Sequence, residues 1–416
     1  MRNILVVVDS VDVNDSSGSK ANVALIRNLS AAGFEVKVLH YTQKRNVAIQ
    51  GINAKQLQLI KELKWHGWYV LSRAERLFTR YTKISLNRFL ENGLGFSFTF
   101  FNDSKSMVRA IQTENPADYH LLLTLSKGAS FRPHHAALQL PQWHAKWMAY
   151  VHDPYPFHFY PRPYNWIQPG YALKERFFKQ VSEKAAYSAF PSQLLLEWMT
   201  SYFPNFENTG VVIPHQLEDF NVDYQLLPTD FPQDKMVLLH AGNLMKQRSP
   251  VALIKAYQKL LSEYPRANEE TQLLLLGPAS YHERVLNDLQ KEIPSLVVEN
   301  RNIPFLEVLA LQEQVSVNII LESKSEISPF LPGKFPHCVA ANRPLLVLSP
   351  YYSETRRLLG NDYPYWSEAD DENKIFLLIE QLYLAWKNKE LNELNRLDLD
   401  TYLSISNLKS TLNELL

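Results

Sequence analysis

The chain has 416 residues and a mass of 48.2 kDa, which is too long for one ordinary hydrophobic core and sets two domains of roughly 200 residues as the expectation. Its 43 Lys and Arg balance 43 Asp and Glu, so bulk nucleic-acid binding is not expected and only a local basic patch remains open. A hydrophobic share of 46% with 21% charged residues fits a soluble globular protein. The single cysteine, Cys338, excludes an intrachain disulfide and points to a reducing, cytoplasmic compartment.

The chain opens MRNILVVVDS. Ile4–Val8 is a β-branched run of the kind found in strands buried on both faces, and Asp9 interrupts it too early for a signal peptide. No stretch approaches the 18 or so apolar residues of a spanning helix, so any membrane contact is expected to be peripheral. A polar loop with Asp15, Ser16, Ser17, Gly18 and Ser19 follows, then an amphipathic helix over Ala21–Ala32 closed by Gly33, then a strand at Glu35–Leu39. Such a strand–loop–helix–strand unit implies a parallel sheet with a right-handed crossover. Further strands are expected at His120–Leu125, Trp147–His152, Ala189–Phe190 and Val211–Ile213, with a helix over Lys174–Tyr187; the composition near Pro214 reads as a domain boundary.

A second series begins with a strand at Met236–Leu239 and a turn at Ala241-Gly242-Asn243. Ser249 is expected to cap the next helix, with Pro250 as its first residue. Strands then recur at Leu273–Leu276, Leu296–Glu299, Val317–Leu321 and Leu345–Leu348, separated by helices near His282–Glu292, Leu306–Gln314 and after Lys334. Two doubly wound α/β domains therefore follow: residues 1–214, residues 215–400, and a last helical segment over 401–416 that needs a surface and is expected to return to the first domain. Ligands in such folds sit at the carboxyl ends of the strands, here the cleft between the domains.

Two elements suggest anion binding. Pro332-Gly333-Lys334 stands before a small-residue helix, where free N–H groups and the dipole favour an anion by roughly 0.3–1 kcal/mol and a lysine adds a full charge. His240-Ala241-Gly242-Asn243 leads to Arg248, which suits a bidentate phosphate contact. Each alone is equally well an ordinary helix start with a solvated cation; both lie at equivalent places in one α/β domain.

Together with YVHDPYP, VVIPHQLEDF, LLLLGP and NIPFLEVL, these stretches make the whole chain resemble the GT-B fold glycosyltransferases, and among them the retaining, family 4-like sugar-nucleotide enzymes. The resemblance implies that Arg248 and Lys334 hold the donor diphosphate and that His152 and Asp153 approach the transferred sugar and the acceptor. It implies Gly18 near sugar and phosphate, Asn302 and Ile303 at the base, and Gly242, Asn243, Gly277 and Gly333 in the donor site. Family members usually carry two glutamates at positions held here by Pro329 and His337; His337 could meet ribose hydroxyls, and Glu322 or Glu326 could substitute, Glu326 being taken as the donor-site residue. Neither a cofactor nor a metal is expected: the nucleotide sugar is a substrate, the cations do the work of a metal, and no HExxH or Cys/His zinc spacing occurs.

Residues 51–91 form a basic, aromatic insert. Lys55, Lys61, Lys64, Arg73, Arg76, Arg80, Lys83 and Arg88 face only Glu62, Glu75 and Glu91. Arg73, Arg76, Arg80 and Lys83 are spaced to share one helical face, with Trp65, Trp68, Tyr69, Phe78 and Tyr81 interleaved. The composition suits a helix lying on an anionic bilayer, and equally a solvated hairpin packed on its own domain. The expected activity is transfer of a sugar from a nucleotide-diphosphate sugar to a glycan or lipid-linked acceptor of a surface polysaccharide, on the inner membrane face, without nucleic acid. The rivals are an epimerase of the same fold and a non-catalytic binding subunit; retention or inversion, the latter with Asp153 or His152 as base, stays open.

Overall fold

The computed structural model describes residues 2–13, 15–42, 48–49, 51–217 and 222–416. Glu218, Asp219 and Phe220 of the VVIPHQLEDF stretch lie outside the described residues. The chain divides into two compact units: Met1–Tyr160 with Asn165–Glu218 and Leu403–Leu416, and Pro161–Tyr164 with Asp219–Tyr402.

The first unit is built on seven parallel strands: β1 (Asn3–Val8), β2 (Glu35–His40), β3 (Leu57–Leu59), β4 (Leu121–Leu125), β5 (Trp147–Tyr150), β6 (Tyr187–Phe190) and β7 (Gly210–Val212). They lie in the order β3-β2-β1-β4-β5-β6-β7. The apolar run of β1 is explained by its two neighbours and its two covered faces. Ile4, Val6 and Val8 join a core with Val23, Ile26 and Leu29 of the helix Ser17–Ala31, whereas Leu5 and Val7 join one with Met107, Val108 and Ile111 of the helix Phe98–Ile111. Side chains alternate across a strand, so a β1 polar on either face would leave one layer without its seam. The last helix, Ile405–Leu415, seats Leu408 and Leu412 in the first of these cores, and Tyr187 donates to the Leu415 carbonyl at 2.8 Å.

The second unit carries a six-stranded parallel sheet and a two-stranded one. Its strands are β8 (Met236–Ala241), β9 (Thr271–Leu276), β10 (Leu296–Glu299), β11 (Val317–Leu321), β12 (Ile327–Ser328), β13 (Leu345–Leu348), β14 (Tyr352–Ser353) and β15 (Trp366–Ser367). The larger sheet runs β10-β9-β8-β11-β13-β15, and β12 pairs with β14. Met236 and Leu238 enter a core with Leu253, Ile254 and Tyr257 of the helix Val251–Glu263, and Val237 and Leu239 enter the opposite layer.

Four local expectations are corrected. Gly18 is not in a loop: the first helix starts at Ser17, because the Ser16 hydroxyl accepts the Ser19 N–H at 3.1 Å. The helix expected over Lys174–Tyr187 runs Tyr171–Lys184, and Tyr187 opens β6 instead. Pro250 is the N-cap and not the first helical residue, so Ser249 sits one place too early for its expected role, with a long 3.4 Å contact to the Val251 N–H. Lys83 does not extend the insert's helix: that helix is Gly67–Thr82, and Lys83 ends it in a left-handed conformation at φ 61°.

Candidate functional site

In the second unit the parallel register brings the carboxyl ends of β8, β9 and β11 to one edge of the sheet. The chain leaves β8 through Gly242, whose N–H donates to the Leu276 carbonyl at 2.8 Å, and leaves β9 through Gly277, whose N–H donates to Glu299 at 3.0 Å. Gly277 has φ +127°, and a Cβ there would lie 2.4 Å from the Gly242 carbonyl oxygen. Its glycine is thus required by the close approach of two backbones, which shapes the Gly242 turn.

Lys334 reaches into that turn from the residue before the helix Phe335–Ala340. Its ammonium lies 2.9 Å from His240 Nδ1 and donates to the Ile319 carbonyl at 3.1 Å. A Cβ on Gly242 would be 3.7 Å from Lys334 Nζ and 3.5 Å from His240 Nε2, so the missing side chain keeps open the space beside both nitrogens. Six residues make too short a helix for a strong dipole, so the positive charge here is chiefly that of Lys334 itself. Arg248 donates through Nη1 to the Asn243 carbonyl at 3.2 Å, while its Nε has no partner among the described residues. The Arg248 charge is felt by His240, Glu322 and Lys334 alike, which ties these groups into one electrostatic cluster.

The cluster's protonation follows from burial. Lys334 is pushed down to about 7 by loss of water; Cys338 opposes this, Arg248 adds to it and Glu322 opposes it. Burial, then Lys334 and Arg248, hold His240 well below its ordinary value, so its ring is neutral. When Lys334 is charged it can only donate, so His240 Nδ1 must accept and the proton sits on Nε2, which has no partner among the described residues. Glu322, directly after β11, is pushed up to about 7 by burial, against the opposing pull of Ser328, Thr355, Arg248 and Lys334. Glu326 is exposed, whereas the buried carboxyl of the cluster is Glu322. Two cations and one buried N–H donor around a glycine turn are the kind of groups that would complement a polyanion.

The remaining donor-side positions fall around this edge with less definition. His337 packs edge-on to Phe305 at 5.1 Å, which brings it to the segment that also carries Asn302 and Ile303. Asn302, Asn243 and Gly333 are exposed, and a Cβ on Gly333 would meet nothing.

In the first unit, Gly18 and Asn22 lie one turn apart on the first helix. Asn22 donates to the Ser126 carbonyl at 2.9 Å and its Oδ1 lies 2.8 Å from His152 Nε2. The amide's orientation therefore places the His152 proton on Nε2 and leaves Nδ1 as a bare acceptor. Burial, then His215 and His134, hold His152 well below its ordinary value, so this ring too is neutral. Asp153 is pushed up to about 6 by burial, with the Tyr160 hydroxyl opposing. A Cβ on Gly18 would lie 3.2 Å from the Gly128 N, so this glycine admits the neighbouring loop. Reading the sequence missed His240, Asn22 and the buried state of Glu322. A polar residue at the end of an apolar strand was the available signal for His240, and a polar residue within the apolar NVALI face for Asn22.

The insert residues separate. Trp68 stacks on Phe101 at 4.7 Å and Arg73 pairs with Glu62 at 2.7 Å, so both serve their own unit. Arg76 contacts Thr99 at 3.3 Å yet stays exposed, as do Trp65, Arg80 and Lys83. No metal-binding group of three or more His, Cys, Asp or Glu side chains occurs among the described residues.

No protein-family model matches the chain, and no curated protein matches its sequence. Solved structures do match its fold. Sucrose-phosphate synthase from Thermosynechococcus elongatus superposes with a TM-score of 0.62 at 13% identity, over 100% of this chain and 98% of that one. A UDP-forming trehalose-phosphate synthase from Burkholderia xenovorans gives 0.60 at 12%, over 100% and 98%. HepE from Anabaena, in complex with UDP and glucose, gives 0.60 at 10%, over 100% and 99%.

Proposed function

Since the chain has the GT-B fold of these proteins, we propose that it is a glycosyltransferase whose donor is a nucleoside-diphosphate sugar. The observation that carries this reading is the convergence of Lys334, His240 and Arg248 on the glycine turn after β8. A diphosphate seated there would accept from both cations and from His240 Nε2–H. The neighbour recorded with UDP and glucose supports that ligand class. As the sugar's bond to the diphosphate breaks, negative charge grows on the leaving oxygen, and fixed cations in a water-poor site stabilise that charge more than they stabilise the intact donor. These side chains supply the charge neutralisation that a divalent ion would otherwise give, so we propose a metal-independent reaction, with retention of configuration. His152 Nδ1, a fixed acceptor, suits a sugar hydroxyl. The proposed acceptor is a glycan or lipid-linked glycan of a surface polysaccharide.

The test is a panel of nucleotide sugars, with nucleoside-diphosphate release followed and the product anomer read by NMR. Release that depends on an acceptor supports transfer. Interconversion of donors without an acceptor identifies an epimerase, and tight binding without turnover a binding subunit. A protein that binds no nucleoside diphosphate overturns the reading altogether.

A further inference from the structure

The helix Gly67–Thr82 is turned the unexpected way round. Its inward side carries Ser72 and Glu75, both buried, and Trp68, which lies over Phe98 and Phe101. Its outward side carries Val70, Leu71, Leu77, Phe78 and Tyr81, all exposed, at the spacing of one helical face. The exposed apolar surface continues at both ends of the helix: Trp65 is 87% exposed, Tyr81 82% and Phe89 78%. None of the eight residues of the next helix, Asn87–Leu94, is buried. A solvated surface helix does the opposite, and an apolar stripe of this size facing out marks an interaction surface.

The charges choose the partner. Between residues 61 and 94 the exposed ionised side chains are Lys61, Lys64, Arg76, Arg80, Lys83 and Arg88. All three acidic side chains of this stretch are turned inward or held: Glu62 by Arg73 at 2.7 Å, Glu91 by Lys174 at 2.7 Å, and Glu75 in the helix's buried side. A second copy meeting this face through a two-fold axis would set cations against cations with no exposed carboxylate between them. An anionic bilayer offers both what the stripe lacks and what the cations need: an apolar layer beneath a negative headgroup plane, where Trp and Tyr also settle. No helix among the described residues is long and apolar enough to cross a membrane, so the contact lies in the plane of the surface.

We propose that the face made by Gly67–Thr82 and Asn87–Leu94 docks on an anionic lipid bilayer, with Val70, Leu77, Phe78 and Tyr81 in the interface and Arg80, Lys83 and Arg88 among the headgroups. Full-length protein is floated with phosphatidylcholine vesicles that contain or lack phosphatidylglycerol. The expected result is flotation with the anionic vesicles only, weakened by salt. Leu77→Asp with Phe78→Asp abolishes it, and Arg80→Glu with Lys83→Glu weakens it on the order of tenfold or more. These positions are exposed, so the melting temperature of each variant stays at the wild-type value. Should one pair misfold, the other still decides the matter. Equal flotation with both kinds of vesicle, no flotation with either, or wild-type flotation of a folded double variant overturns the proposal. So does concentration-dependent self-association that the Asp pair removes, which would assign the face to a second copy.

Discussion

Lys334 is a charge held in a place that penalises charge, and its behaviour with pH follows from that. The folded Lys334 sits at about 7 against an ordinary 10.5, so between those values the unfolded chain binds the extra proton. Its contribution to stability therefore rises with pH across that window. A bound diphosphate reverses the penalty by favouring the ammonium. Nucleoside-diphosphate affinity should accordingly fall as pH climbs above about 7, with proton uptake on binding; calorimetry in buffers of different ionisation enthalpy measures both. An affinity that is flat from neutral to alkaline pH would remove Lys334 from the site. Lys334→Ala and Arg248→Ala should each cost about 1.5–3 kcal/mol of that binding, the range for hydrogen bonds to charged groups, seen as a smaller ligand-induced shift in melting temperature. His240→Ala should weaken binding, since it removes the Nε2–H donor beside the Gly242 turn.

At the scale of elements, the site rests on glycines that differ in what they do. Gly277→Ala would drive a Cβ to 2.4 Å from the Gly242 carbonyl at a φ of +127°, so β8 and β9 cannot keep their exits. Strain of about 1–3 kcal/mol or more is expected, together with loss of nucleotide binding. Gly333→Ala meets no protein atom within 4 Å and should be nearly silent in thermal stability, although the resemblance placed both glycines in the donor site. If the two variants behave alike, the backbone account of the Gly242 turn is wrong. The helices teach a related lesson. Periodicity found Ile405–Leu415 and the helix within the insert equally well, yet one buries its apolar side and the other displays it.

For the molecule as a whole, the last helix ties the two ends of the chain to one core. Arg2 donates to the Asn413 side chain at 2.9 Å, and Leu408 and Leu412 pack with Ile4 and Val6. Leu412→Ala should destabilise the first unit by about 2–5 kcal/mol, the range for emptying a buried leucine site. Thermal unfolding read by a probe in that unit should shift downward, while nucleotide binding by the second unit at lower temperature should survive. Equal loss in both units would mean that they unfold as one cooperative body.

Long β-branched and leucine-rich runs by themselves determined the two parallel sheets, since only a strand covered on both faces tolerates them; the glycine turn after one run pointed to Arg248, and Pro332-Gly333 before a helix pointed to Lys334. Other facts depended on contacts between residues far apart in the chain. Lys334 meets His240 across 94 positions, Asn22 fixes the tautomer of His152 across 130, and Glu322 is buried while Glu326, four residues later, is exposed. A local pattern gives the period of an element and so the existence of two faces. Which face turns inward, and which charged group loses its water, is set by the register of neighbouring strands and by the layer laid over them, and those exist only once the chain has folded.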